Sequence, residues 1–184
     1  MADLVSRSLP LAGFHGGSAT VRLEAAPPAE RLSLRVRPED VGALSGALGL
    51  DLPTKPKTSV SANGRTALWL GPDEWLVIGD VNGGLMQAAA NSGTPHSAVD
   101  VSHRNTAILV SGPGAANAIN AGCPQDLSLK AFPVGACSRT IFGKVEIVLL
   151  RTAEDAFRVE VWRSFSDYAF GLLSEGARDA SAAV

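Results

Sequence analysis

The stretch "RTALWLGPDEWLVIG" (65–79) constrains the fold more than any other part of the chain. Two apolar runs flank Gly71-Pro72-Asp73. Proline and aspartate are turn residues, and glycine ends the first run without steric cost. Successive side chains of an extended segment point to opposite faces. Leu68 and Leu70 therefore face one way and Trp69 the other, while Trp75 and Val77 oppose Leu76 and Ile78. Both faces of this hairpin are apolar, which places it inside a sheet covered on both sides. Of 184 residues, 46% are hydrophobic and 18% charged, enough apolar material for such a double cover.

The flanking segments fit the same picture. Leu32, Leu34 and Val36 alternate with Ser33, Arg35 and Arg37, the period-two pattern of a half-buried strand. "ATVRLEAAP" reads as another strand. "PEDVGALSGALG" reads as a helix: Pro38 suits the first position, Glu39 and Asp40 suit the N-terminal dipole, and Gly49 suits the stop. Val41, Leu44 and Leu48 share its apolar face. "TKPKTSVSANGR" (54–65) reads as a mildly basic, solvated loop, and "NGGLMQAAANSG" as a modest helix. In the second half, 99–110 reads as one strand. Ser111-Gly112-Pro113-Gly114 turns it into a short Ala/Asn helix that ends at Gly122 and Pro124. "RTIFGKVEIVLLR" and "AFRVEVWR" read as the two arms of a hairpin around 152–155. "SFSDYAFGLLSEG" reads as the last helix, with Ser164 and Asp167 as a capping box. Its expected buried stripe is Phe165, Tyr168, Ala169, Leu172 and Leu173, and "ARDASAAV" is expected to fray. "RTALWLGP" is echoed by the slightly longer "RNTAILVSGP". Hairpins imply antiparallel pairing, so the expected fold is α+β, two related half-domains (1–94 and 95–184) with antiparallel sheets and covering helices.

A net charge of −2 and a pI near 5.9 give no basic footprint for nucleic acid. No apolar run approaches the roughly 20 residues needed to span a bilayer. The start, "MADLVSRSLPLAGFHGG", lacks a signal-peptide plan, and the expected location is the cytoplasm. Cys123 and Cys137 have no CxxC spacing and read as two thiols. Neither has the surroundings of an activated thiolate. His96, Asp100 and His103 would align on a helix, but on a strand His103 points away from the other two, which argues against a metal. Asp100, Ser102 and His103 hold the residue types of a hydrolase triad without a nucleophile elbow. "SGPGAAN" resembles a phosphate-binding turn, but Asn117 stands where a dinucleotide fingerprint needs Gly or Ala. No catalytic, cofactor-binding or metal residue is assigned. In "FRVEVWR", Phe157, Val159 and Val161 form one face and Arg158, Glu160 and Trp162 the other. A tryptophan on a polar face is either a partner anchor or packed under its own chain. Trp162, Arg158 and Glu160 are the candidate partner interface.

The blocks "LGPDEWLVIG", "VDVSHRNTAILVSGPGA", "GCPQDLSLKAFPVGACSRTIFGKVEIVLLR" and "FRVEVWRSFSDYAFGLL" resemble the gamma subunit family of heterotetrameric sarcosine oxidase. The resemblance runs from about Leu68 to Leu173, and the region before Leu50 is less distinctive. It implies a subunit of a complex that oxidatively demethylates sarcosine to glycine, forms hydrogen peroxide and captures formaldehyde as methylene-tetrahydrofolate. It implies alpha, beta and delta partners, with FAD, FMN, NAD and tetrahydrofolate held by alpha and beta and no cofactor in this chain. It also implies a fold similar to the folate-binding aminomethyltransferase (glycine cleavage T-protein-like) domains, and an assembly role without catalysis. The alternative is a stand-alone folate-binding aminomethyltransferase-like protein, for which Asp100 is the one carboxylate in a motif block that would serve.

Overall fold

The computed structural model describes residues 9–182. Its strands are β1 (His15–Gly17), β2 (Arg22–Ala25), β3 (Glu30–Val36), β4 (Ser59–Ala62), β5 (Arg65–Gly71), β6 (Glu74–Gly79), β7 (His96–Asp100), β8 (Asn105–Ser111), β9 (Cys137–Phe142), β10 (Val145–Ala153) and β11 (Ala156–Trp162). Its helices are α1 (Val41–Leu48), α2 (Leu85–Ala90), α3 (Ala115–Asn120) and α4 (Ser166–Ala182). One sheet has the order β4-β5-β6-β3-β7 and the other β1-β2-β8-β11-β10-β9. Neighbouring strands in both are antiparallel.

Period-two patterning builds four layers from these elements. Leu32, Leu34, Val36, Trp75 and Val77 pack with Leu44 and Leu48 of α1 and Leu85 of α2. Leu68, Leu76 and Ile78, on the opposite face of the same sheet, meet Cys137, Val148 and Leu150 of the other sheet. The far face of that second sheet, with Ile108, Ile147, Leu149, Phe157, Val159 and Val161, lies under Ile119 of α3 and Phe170 and Leu173 of α4. The hairpin 65–79 is thus sandwiched as its two apolar faces require. The Trp75 indole is 1% exposed and donates to the Pro53 carbonyl at 2.8 Å, so the ring's polar edge is also satisfied.

The two halves repeat one topology. The order β3-α1-β4-β5-β6-α2 recurs as β8-α3-β9-β10-β11-α4, with matching strand positions in the two sheets. The first sheet is completed beside β3 by β7. The second is completed beside β8 by β2, from the start of the chain. The sheets therefore do not part at 94/95, because each half contributes strands to the other's sheet. The sequence echo also falls out of register with the repeat: 65–72 contains β5, whose counterpart is β10, whereas 104–113 contains β8, whose counterpart is β3.

Other local expectations change as well. Ser59–Ala62 is an edge strand and not solvated loop. Asn63 and Gly64, at φ of 53° and 71°, close its hairpin to β5. That Asn-Gly pair is the type I′ signal that could have revealed it. The segment 99–110 is two strands in different sheets, broken by the turn after Asp100. "RTIFGKVEIVLLR" is itself a hairpin, turned at Gly143, whose φ is 58°. In α4 the buried stripe is Ala169, Phe170, Leu173, Gly176, Ala177 and Ala180, so Phe165 and Tyr168 stay exposed. Tyr168 instead covers the Gly143 turn, its hydroxyl accepting from the Lys144 amide at 3.3 Å. The hydroxyl bonded at this helix start is that of Ser166, which donates to the Arg163 carbonyl at 2.8 Å. The tail through Ala182 is helical. Gly176 lets α4 approach so closely that a Cβ there would sit 2.4 Å from the Ala118 carbonyl of α3. Residues 1–8, which open the segment weighed as a leader, lie outside the described residues, as do 183–184 at the tail.

Candidate functional site

The polar face of β11 lies inside the molecule. Phe157, Val159 and Val161 point toward the helices, so Arg158 and Glu160 point into the gap between the sheets. Across that gap, alternation on β3 turns Leu32 and Leu34 outward to α1 and α2 and turns Arg31 inward. Arg31 Nε donates to Glu160 Oε2 and Arg158 Nε to Glu160 Oε1, each at 2.7 Å. The Arg31 and Glu160 side chains are 3% and 2% exposed. Glu160 thus does not reach a partner surface. The polar face was met by the polar face of the opposing sheet, which strand alternation within one segment does not reveal.

Trp162 differs, because it ends the strand where the gap opens. It is 41% exposed. The Arg104 guanidinium lies 5.0 Å from its ring centroid, and Phe165 stacks on it at 6.0 Å and 21°. Phe165 and Tyr168 are exposed to a similar degree. The chain thus holds the indole upright without burying it.

The remaining chemical candidates serve the fold. Asp100 Oδ1 accepts from the Ser102 amide at 2.8 Å and from the Ser102 hydroxyl. These bonds hold its carboxyl below the usual carboxylate range, helped by the nearby His103 charge. Ser102 Oγ in turn accepts from the Arg31 amide at 2.9 Å, so the pair shapes the turn between β7 and β8. His96 opens β7 and its Nδ1 lies 2.8 Å from the Thr94 carbonyl, whereas His103 sits in the following turn and not on a continuing strand. Among the described residues no group of three or more His, Cys, Asp or Glu side chains could hold a metal. The turn at Gly112 is filled by the chain itself. Gly112 and Gly114 amides donate to the Asp155 and Thr20 carbonyls at 2.9 and 3.0 Å. A Cβ at Gly112 would lie 2.4 Å from the Thr20 carbonyl oxygen, so this glycine lets the segment before β2 approach. Both cysteines are buried free thiols. Burial pushes Cys137 up to about 11.

Comparison with known proteins places this architecture. A family model for the sarcosine oxidase gamma subunit matches residues 36–182. The chain belongs to the sarcosine oxidase gamma subunit family. Sarcosine oxidase subunit gamma of Corynebacterium sp. (strain U-96) is 30% identical over 172 residues, 91% of this chain and 84% of that one. The Arthrobacter sp. gamma subunit is 35% identical over 136 residues, 71% of this chain and 67% of that one. A chain of the heterotetrameric sarcosine oxidase from Corynebacterium sp. U-96, solved with pyrrole 2-carboxylate, superposes with a TM-score of 0.88 at 26% identity. The match covers 95% of this chain and 96% of that one. Glycine cleavage system aminomethyltransferase T from Bartonella henselae shares the fold, with a TM-score of 0.62 at 17% identity over 84% of this chain and 45% of that one. The expected α+β fold similar to the aminomethyltransferases is therefore present in this gamma-family chain.

Proposed function

We propose that this chain is a non-catalytic assembly subunit of a cytoplasmic heterotetrameric sarcosine oxidase, with alpha, beta and delta subunits as partners. The complex oxidatively demethylates sarcosine to glycine, with hydrogen peroxide and methylene-tetrahydrofolate as products. FAD, FMN, NAD and tetrahydrofolate belong to the partners and none to this chain. One observation carries the reading: the match to a chain of the heterotetrameric enzyme spans nearly all of both chains. The chemistry-bearing side chains support it, since Asp100, Glu160 and Cys137 are each engaged in structural bonds.

Trp162 is the proposed anchor toward a partner. It is a large aromatic held in place by Arg104 and Phe165 and left two-fifths exposed. Trp162→Ala is expected to weaken association with the other subunits by about 2 kcal/mol or more, roughly thirtyfold in affinity. Oxidase activity per assembled complex should be unchanged. Capture of the complex through this chain, with flavin absorbance read on the eluate, measures association. Thermal melting of the isolated chain separates it from stability. A melting loss with unaltered capture would show that the indole serves its own chain.

The shared fold with aminomethyltransferase T favours one second reading, a folate-binding protein acting alone. Its candidate carboxylate, Asp100, accepts two bonds from Ser102 through Oδ1. Tetrahydrofolate binding by the isolated chain would favour that reading over assembly.

A further inference from the structure

Between the sheets, on the side away from Trp162, lies a cavity of about 460 Å³. Sheet one contributes Ser61, Thr66 and Ile78 to its wall, and sheet two contributes Leu150, Arg151 and Arg158. An adjoining cavity of about 370 Å³ shares Ser59, Val134 and Gly135 with it and adds Lys55 and Lys57. Apart from Arg151, the charged residues lining the two are Arg158, Lys55 and Lys57, with no carboxylate among them. The basic stretch 54–65, read from sequence as solvated loop, supplies part of this rim.

The Arg151 guanidinium turns away from the cleft: it lies over the Phe157 ring on the helix side of the sheet and donates to the carbonyls of Leu127, Phe132 and Glu154. Arg158 shares its one carboxylate, Glu160, with Arg31. Two guanidinium groups therefore share one carboxylate in the gap. Arg158 Nη2 is buried without a hydrogen-bond partner among the described residues. A buried donor without an acceptor is costly, and an incoming acceptor removes that cost. Glu160 fixes Arg158 through its Nε, so the rest of the guanidinium is already oriented. Ser61 Oγ and Thr66 Oγ1 lie 2.9 Å apart. Such a pair spends one O–H on its own bond and keeps the other to donate outward. The remaining wall combines apolar Ile78, Val134 and Leu150 with Ser59 and Thr152.

We propose that this cleft binds a small organic monoanion, a carboxylate on an apolar body, held by Arg158 and the Ser61–Thr66 hydroxyl pair. The donor supply suits a carboxylate with two oxygens. The volume falls within the usual range for small-ligand sites. This site is independent of the assembly role and goes beyond it.

The test titrates benzoate and its neutral isostere benzamide into the full chain, following the Ile78 methyl signals by NMR. Benzoate is expected to shift them saturably, with benzamide weaker by about tenfold or more. Arg158→Gln should weaken benzoate by a similar factor. Because that change also disturbs Glu160, Thr66→Val provides a second variant. It should weaken benzoate several-fold while melting like the parent chain. Equal binding of benzoate and benzamide would overturn the proposal. So would undiminished benzoate binding by Thr66→Val and a folded Arg158→Gln, or no saturable shift up to roughly 10 mM.

Discussion

Two carboxylates bridge the gap between the sheets, and each is held by two arginines. Glu160 of β11 binds Arg31 across the gap and Arg158 on its own strand. Glu74 of β6 binds Arg139 across the gap and Arg35 on its own sheet. The chemistry is the same and the surroundings are not. Arg31 and Glu160 are 3% and 2% exposed, whereas Arg35, Glu74 and Arg139 are 57%, 13% and 35% exposed. Water weakens the attraction in the second cluster and also removes most of the cost of breaking it. In the first cluster both terms are large, so losing one partner leaves charges that nothing solvates. The buried cluster therefore locks the register between the sheets, while the outer one decorates the edge of the same joint.

The largest effect is expected at Glu160. Glu160→Gln keeps the shape and removes the charge, and should cost about 3 kcal/mol or more in the urea unfolding of the full chain. Replacing Arg31 and Glu160 together with leucine should restore part of that loss, since only the less buried Arg158 is then left without its carboxylate. If the double variant is no better than Glu160→Gln, the charge argument fails and packing explains the joint.

An intermediate effect lies in the apolar strip between the clusters. Cys137 is fully buried there, and its thiol donates to the Thr58 carbonyl at 3.2 Å. Burial raises its pKa from 9.0 to about 11. The protonated form is thus favoured by folding. Its contribution is fully present below the unfolded value near 9 and is lost as pH rises toward 11. Stability of the parent chain should fall through that window, and Cys137→Ser should flatten the fall. An identical pH profile in the variant would remove Cys137 as the cause.

The contrast between the clusters also explains what the sequence disclosed. The hairpin 65–79, α1 and the apolar face of β11 were legible, because one segment's own periodicity decides them. Glu160 was misplaced because its environment is set by Arg31, 129 residues away. The same limit hid the strand exchange: nothing local in Arg22–Ala25 says that its neighbour is β8. Trp162 shares the polar face of β11, but its exposure comes from its place at the strand's end. The phase of α4 was missed because Phe165 and Tyr168 looked like core aromatics. The small residues Gly176, Ala177 and Ala180, which let α4 lie close on α3, carried the real stripe. Family membership was legible from long ordered blocks, a signal that needs no geometry.

The smallest effect is expected at Glu74, and it is the sharpest check on the comparison. Glu74→Gln removes the carboxylate from two arginines, as Glu160→Gln does, so a count of ion pairs predicts equal losses. The dielectric argument does not. With Arg35 and Arg139 open to water, the expected cost is about 0.5 kcal/mol and no more than about 1 kcal/mol. Ionic strength separates the two sites again. At about 1 M salt the screening length shrinks to roughly 3 Å, which reaches the outer cluster and not the buried one. The Glu74→Gln loss should then fade into the error, while the Glu160→Gln loss persists. Urea unfolding of both variants at low and high salt measures all four quantities. Equal losses at the two sites, or a Glu160 loss that salt erases, would mean that water reaches the middle of the joint. Burial would then no longer distinguish the clusters.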